Sequence, residues 1–386
     1  MLASAPLLLF LVTEDWYFCS HRLPLARAAL REGFRVAVMC RVNRHAEIIR
    51  ANGIALHPWG LDRRSLGPRA EMEALIEVVR LYKSERPTLV HHLALKPIIY
   101  GSIAARTAGV PHGVNALAGL GTVFTEESWR ARALRRAVAA LLRLTVNGRS
   151  LYFLSQNADD LVRLQRAGVL KPATPAGVIR GSGVDTAHFA PMPEPPAPPV
   201  VAALVARMLR SKGVPTFVAA ARILMARGAP VRLRLVGAPD PASPASVTAA
   251  EIEGWVSEGV VDWAGHVDDV RAVWRDAHIG VLPSSYGEGL PKSLLEAAAC
   301  GRPVIATDIA GCREIARHGE TGLLVTKNDP AALADAIERL ASDAEMRRGL
   351  GSGARALVER ELSADVVVRE TLALYRRLLG PLYPSA

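Results

Sequence analysis

The chain has 386 residues, half of them hydrophobic, with 47 lysines and arginines against 37 aspartates and glutamates, a formal net charge of +10. That length exceeds one ordinary core and suits two globular domains, and no apolar run reaches the roughly 18 residues that a membrane span needs. The basic excess leaves open an anionic partner (nucleic acid, acidic lipid or a phosphorylated substrate) or simply a solvated surface.

LLLFLVT, Leu7 to Thr13, is the first predicted strand. It has no basic stretch before it and no small-residue cleavage site after it, so a buried strand is expected rather than a signal peptide. EDWYFCSHR follows, Glu14 to Arg22, where a glycine-rich loop is absent; Asp15, Trp16 and His21 stand there either as ordinary packing residues or as groups that meet a ligand. A helix over Leu23 to Glu32 leads to strands RVAVMC (Arg35 to Cys40) and TLVHHLA (Thr88 to Ala94), then to a helix over Ile98 to Ala108. His91 and His92 lie on the TLVHHLA strand, as core residues or as lining of a ligand cleft. Strands HGVNAL, from His112, and LYFLS, from Leu151, bracket a basic helical stretch, Glu126 to Arg149. On it Arg132, Arg135, Arg136 and Arg143 share one side, and Leu134, Val138, Leu141, Leu142 and Val146 occupy much of the other. Such a helix, from Arg130 to Arg143, is either a solvated face over a core stripe or a contact with an anionic membrane surface.

Residues 191–199 read PMPEPPAPP, six prolines in nine positions, which predicts a stiff extended linker. Strands then restart: VVAALVA from Val200, VRLRLVG from Val231, VVDWAG from Val260, HIGVLPS from His278 and PVIAT from Pro303. Three helical segments run from Pro330 to about Leu379. Strand–helix alternation with buried strands means α/β with parallel sheets. The expected division is residues 1–190, the linker 191–199 and residues 200–363, with a last helix at about 364–386 returning to the first domain. Two such domains facing each other make a cleft, and ligands bind beyond the carboxyl ends of the strands. Cys19, Cys40, Cys300 and Cys312 form no C-x-x-C pair, so no zinc site or disulfide framework is expected and a reduced, cytosolic compartment fits.

The segment richest in chemistry is LPSSYGEGLPKSLLEAAACGRPVIATD, Leu282 to Asp308. Gly287 and Gly289 flank Glu288 and let backbone approach a ligand. Pro291 suits a first helical position, so the amides near Gly289 and Leu290 mark a helix start able to bind phosphate. Glu296 is an acceptor fit for a pair of ribose hydroxyls. In VARMLRSKG, Arg207 and Lys212 supply two cations five residues apart, either a solvated helix start or a pair that meets an anion.

Glu288 and Glu296 bracket seven residues, and with their surroundings this segment resembles the E-x7-E signature of family 4 glycosyltransferases. GCREIARHGETGLLV, from Gly311, and VARMLRSKG, from Val205, resemble two further motifs of that family, with Ala206 where glycine is common. VHHLALKPIIYGSIAARTAGVP, from Val90, GLGTVF, from Gly119, and GSGVDTAHFAP, from Gly181, are similar to a bacterial branch acting on undecaprenyl-diphosphate-linked sugars in surface polysaccharide or glycan assembly, N-acetylgalactosaminyl transfer included. The resemblance implies the GT-B fold, two Rossmann-like parallel-sheet domains with an interdomain cleft, and a retaining transfer from a nucleotide sugar, a UDP-sugar being expected.

In that reading Glu288, Arg207 and Lys212 are catalytic. The donor is held by those three with Gly265, His266 and Val267 (a loop facing the base), Gly289, Leu290 and Glu296. Asp15, Trp16, His21, Lys96 and Gly119 are acceptor-side candidates. The N-domain histidine of many family members falls here near Leu117 and Ala118, and His112 is read as structural. No D-x-D triplet occurs, so neither metal nor other cofactor is expected. A lipid-linked sugar acceptor at the cytoplasmic face of the inner membrane follows from the branch. Rivals are a soluble transferase, a nucleotide-sugar epimerase and a non-enzymatic binding protein. No aromatic–basic motif favours nucleic acid.

Overall fold

The computed structural model describes residues 5–61, 67–117, 119, 129–148, 150–241 and 243–384. The chain divides into two units, Met1–Ser182 with Asp365–Ala386, and Gly183–Ala364.

In chain order the first unit carries β1 (Leu7–Glu14), α1 (Asp15–His21), α2 (Leu23–Arg31), β2 (Arg35–Arg41), α3 (Ala46–Ala51), β3 (Ala55–Pro58), α4 (Pro68–Glu85), β4 (Leu89–Leu93), α5 (Leu95–Ala108), β5 (His112–Leu117), α6 (Trp129–Thr145), β6 (Leu151–Ser155), α7 (Ala158–Arg166) and β7 (Ala176–Val178). Its strands pair in parallel in the order β3-β2-β1-β4-β5-β6-β7. The near-continuous apolar run of β1 is explained by burial on both faces. Leu8, Phe10 and Val12 pack with Leu25, Ala26 and Ala29 of α2. Leu7, Leu9 and Leu11 pack with Ala74 and Val78 of α4 and Ala104 of α5. Sheet order reverses between β1 and β4, so the carboxyl ends of those two strands flank the crevice where such sheets bind ligands.

The second unit carries β8 (Val200–Val205), α8 (Val214–Ala226), β9 (Val231–Val236), α9 (Ala249–Ser257), β10 (Asp262–Trp263), α10 (Arg271–Asp276), β11 (Ile279–Leu282), α11 (Lys292–Ala299), β12 (Val304–Thr307), α12 (Ala310–Arg313), β13 (Gly322–Val325), α13 (Pro330–Ser342) and α14 (Ala344–Leu357). Its parallel sheet runs β10-β9-β8-β11-β12-β13, and its order reverses between β8 and β11. One face packs on α8 and α13, the other on α11 and α14.

The proline-rich segment does not act as the linker that composition suggests. Residues 191–199 belong to the second unit, and the chain passes between units at 182–183 and 364–365. Prolines remove N–H donors but leave carbonyls to satisfy. Here buried basic side chains satisfy them: Arg302 donates to Met192 O and Pro193 O, and His278 Nε2 donates to Pro195 O. Arg347 pairs with Glu194, which completes the strap.

A final helix, α15 (Ala364–Leu379), places Val367, Leu372, Leu374, Tyr375 and Leu379 in the core of the first unit beside Leu8 and Phe10. No helix among the described residues is long and apolar enough to cross a membrane.

Candidate active site

The sequence-marked residues of the second unit lie on the loops after β8, β10 and β11 and in α11. β8 runs into Arg207 and a tight turn, Arg210–Lys212, closed by Gly213 at φ +78°. A Cβ on Gly213 would lie 1.9 Å from Pro283 O, so only glycine lets the loop after β8 touch the loop after β11. Across that contact the Ser285 N–H donates to Ser211 O at 2.9 Å. Lys212 Nζ then reaches both carboxylate oxygens of Glu288, at 2.7 and 2.9 Å, and sits 5.2 Å from the Tyr286 ring centre. Ser284 Oγ donates to Glu288 Oε1 at 2.7 Å.

Glu288 is buried, 6% exposed, and Lys212 is half-buried, its side chain 17% exposed. Burial pushes the Lys212 ammonium down, but the Glu288 carboxylate more than offsets it and holds the lysine above its ordinary range. The backbone beneath Glu288 is seated on α12, where a Cβ on Gly311 would lie 1.9 Å from Gly289 O. Pro291 is the N-cap of α11 rather than its first residue. Glu296 follows inside α11, 7% exposed, 3.9 Å from Lys292 Nζ. Burial raises its carboxyl to about 7, with Lys292 pulling part of that back.

At the carboxyl ends of β8 and β9 is a cavity of about 360 Å³ whose walls include Arg207, Gly237, Asp240, His266, Val267 and Val270. Arg207 Nη1 donates to Asp240 Oδ2 at 2.7 Å. Gly265 sits behind the cavity and accepts the Gly237 N–H at 2.7 Å. The second unit thus brings Arg207, His266 and Val267 to one cavity and Lys212 to Glu288. Ser284, Tyr286 and Asp240 join them without having been singled out in the sequence. Ser284 and Tyr286 lie inside the recognised segment, whereas nothing in GAPDPAS marked Asp240.

In the first unit the acceptor-side candidates are scattered. Asp15 is fully buried, and its carboxylate accepts the N–H groups of Trp16, Asn43 and His45 at 2.7, 2.6 and 3.0 Å. Burial raises this carboxyl, but those amides outweigh it and hold it below its ordinary range. Asp15 therefore ties down the loop after β2 instead of presenting a carboxylate to a ligand. Trp16 is 44% exposed just past β1, and Lys96 lies just past β4, paired with Glu71 at 2.8 Å. Those two flank the reversal of the sheet. His21 stacks on Tyr17 at the far end of α1, and Gly119 follows β5 with φ +92°. Ala118 and residues 120–128, which include most of the GLGTVF stretch, lie outside the described residues.

His91 and His92 are core residues. His91 Nδ1 meets the Tyr375 hydroxyl at 2.5 Å, and His92 bridges Asn115 and Tyr82 at 2.6 and 3.0 Å. Burial lowers both imidazoles, His92 to about 4. On α6, Leu142 and Val146 are buried, but Leu141 departs from the expected core stripe: it is 40% exposed, and Leu144 is 71% exposed. Arg136 and Arg143 are exposed with them, while Arg149 and the side chains of residues 129–134, Arg130 and Arg132 among them, lie outside those described.

The model of "Glycosyl transferases group 1" matches residues 199–343, and that of "Glycosyl transferase 4-like" matches residues 8–156. An alpha-maltose-1-phosphate synthase of Mycolicibacterium smegmatis is 30% identical over 328 residues, 76% of this chain and 80% of its own. The chain belongs to the group 1, family 4, glycosyltransferases. This glycosyltransferase is also 24% identical, over 93% of its length and 95% of the relative's, to the N,N'-diacetylbacillosaminyl-diphospho-undecaprenol alpha-1,3-N-acetylgalactosaminyltransferase of Campylobacter jejuni. Among solved structures, a sucrose-phosphate synthase from Thermosynechococcus elongatus superposes with TM-score 0.80 at 22% identity, covering 97% of this chain and all of that one. HepE of Anabaena, in complex with UDP and glucose, does so with TM-score 0.75 at 17% identity, over 95% and 98%. The glycosyltransferase has the GT-B fold.

Proposed function

We propose that this glycosyltransferase moves a hexose or N-acetylhexosamine from a UDP-sugar to a polyprenyl-diphosphate-linked sugar, with retention of configuration, in surface polysaccharide or glycan assembly. One observation carries the donor half: Arg207, Lys212 and Glu288 lie on the loops that leave the carboxyl ends of β8 and β11, where the sheet order reverses, with Lys212 paired to Glu288 and Arg207 on the cavity wall. In this reading the base lies along Gly265, His266 and Val267, and Glu296 takes the ribose hydroxyls. Arg207 and Lys212, with the amides of Gly289 and Leu290, neutralise the diphosphate as its oxygen leaves the sugar carbon. Glu288 takes hydroxyls of the donor sugar. The acceptor oxygen forms the new bond on the face the diphosphate vacates, and the departing phosphate takes its proton, so neither a separate base nor a metal ion is called for.

The acceptor half is supported by the name of the Campylobacter relative and by the outer face of α6, where Leu141 and Leu144 are exposed beside Arg136 and Arg143. A helix of that kind suits an anionic lipid surface, here the cytoplasmic face of the inner membrane. Trp16, Lys96 and Gly119 follow β1, β4 and β5 and are assigned to the acceptor.

Nucleotide release, measured with the purified chain, a panel of nucleotide sugars and short-chain polyprenyl-diphosphate sugars, tests this. Release from one UDP-sugar only with a lipid-linked acceptor is expected. Release with a free sugar acceptor alone overturns the lipid half, and nucleotide-sugar conversion without any acceptor overturns transfer.

A further inference from the structure

Arg207 needs something to aim it. Its side chain is 54% exposed, and holding a long exposed side chain in one rotamer costs entropy that packing alone does not offset here. Asp240 supplies the restraint through the 2.7 Å contact between its Oδ2 and Arg207 Nη1. That carboxylate is itself on a held segment. Met208 N–H donates to Ala238 O at 3.0 Å, Val247 N–H to Met208 O at 2.8 Å and Arg210 N–H to Ala245 O at 2.8 Å. The Asp240 N–H adds a bond to Ser246 Oγ at 3.0 Å. The loop after β9 is thus stitched to the residues that follow Arg207, Met208 and Arg210.

A guanidinium has five N–H groups, and the Nη1–Oδ2 contact engages one of them, leaving Nε and Nη2 able to meet a second anion. Arg207 and Asp240 also share the wall of the same 360 Å³ cavity. We propose that Asp240 is a positioning residue for Arg207, fixing the guanidinium so that its other N–H groups meet the diphosphate of the donor. The inference rests on the donor-site reading above. Asp240 also carries a charge of the same sign as the diphosphate. Its repulsion acts across the intervening guanidinium, at longer range and through solvent, so it is the weaker effect.

The test is a double-mutant cycle on the full chain, with binding of UDP, GDP and ADP followed by calorimetry. Asp240→Ala should raise Kd for the nucleotide that binds best by about tenfold, the low end of the cost of losing one charge-assisted hydrogen bond. Asp240→Asn, which keeps an acceptor, should recover part of that loss. In an Arg207→Ala background, Asp240→Ala should change Kd by less than about twofold, because its effect passes through Arg207. Equal or tighter binding by Asp240→Ala overturns the inference and shows a competing anion instead. A tenfold loss that persists without Arg207 also overturns it, as a merely structural effect on the loop. If Arg207→Ala binds as well as the unaltered chain, or if the unaltered chain binds none of the three nucleotides, the donor-site reading falls and takes this inference with it.

Discussion

Lys212 and Glu288 are each other's counter-ion, and that fixes what each substitution will do. Removing one partner of a buried pair leaves the other charge uncompensated, at about 3–5 kcal/mol. Lys212→Ala should therefore lower thermal stability as well as cut turnover by about a hundredfold or more. Glu288→Gln keeps the shape of the site and an amide oxygen that accepts from Ser284 Oγ, but it too takes the counter-ion from Lys212, so thermal stability should fall there as well. It should lower kcat more than it weakens UDP binding. Unchanged nucleotide release in either variant removes that residue from the mechanism. Glu296 gives a prediction in pH. Its carboxyl is raised from 4.5 to about 7, so the folded chain keeps a proton there that an unfolded chain has released. The stability from that protonated form is full below about 4.5 and is lost as pH climbs to about 7. Two ribose hydroxyls are met best by the ionised acceptor, so UDP affinity should fall as pH drops below about 7. Glu296→Gln should flatten that profile. A flat profile in the unaltered chain across the same range would remove Glu296 as the titrating acceptor.

Among the elements, close backbone approach decides most at Gly311. A methyl group there would lie 1.9 Å from Gly289 O, and neither α12 nor the loop under Glu288 can give by that much without moving. Gly311→Ala should shift Glu288 off Lys212 and abolish detectable nucleotide release while the circular dichroism stays that of the parent; full activity would mean that the loop is not held by this contact. The same packing logic explains what was legible. β1, β2, β4, β5 and β6 show as apolar runs because both faces are buried. The short edge strands β3 and β7 are only partly buried, so no run betrays them. The proline-rich strap shows a limit of composition. Six prolines announce missing N–H donors, but His278, Arg302 and Arg347, which take up the segment's carbonyls and Glu194, lie 83 or more positions away. At the candidate site, Arg207, Lys212 and Glu288 were marked by motif spacing, whereas Glu296, marked in the same way, lies buried in α11 beside Lys292. The Lys212–Glu288 contact spans 76 positions and the Arg207–Asp240 contact spans 33, with no local signal for either. Asp15 looked like a ligand because it follows a strand, yet only the fold shows its oxygens already accepting from backbone amides.

At the scale of the whole molecule, the two units depend on the chain differently. Gly183–Ala364 is one continuous stretch and contains every donor-side residue named here, whereas the first unit is completed only by Asp365–Ala386. Val367, Leu372, Leu374, Tyr375 and Leu379 of α15 are buried in that first core. At roughly 1.5–3 kcal/mol for each large apolar side chain, their loss matches the whole stability of a typical domain, about 5–15 kcal/mol. A chain ending at Ala364 should therefore lose the first unit and keep the second. Limited proteolysis should cut it first within residues 5–182 while 183–364 survives, nucleotide release should vanish, and UDP binding should persist within about threefold, since Arg207, Asp240, Lys212, Glu288 and Glu296 all remain. A truncated chain whose first unit resists protease as well as the parent would mean that β1 and β4 find other cover. One that keeps a protected second unit but no longer binds UDP would place part of the nucleotide's binding outside residues 183–364, and the donor assignment would need groups that the second sheet does not carry.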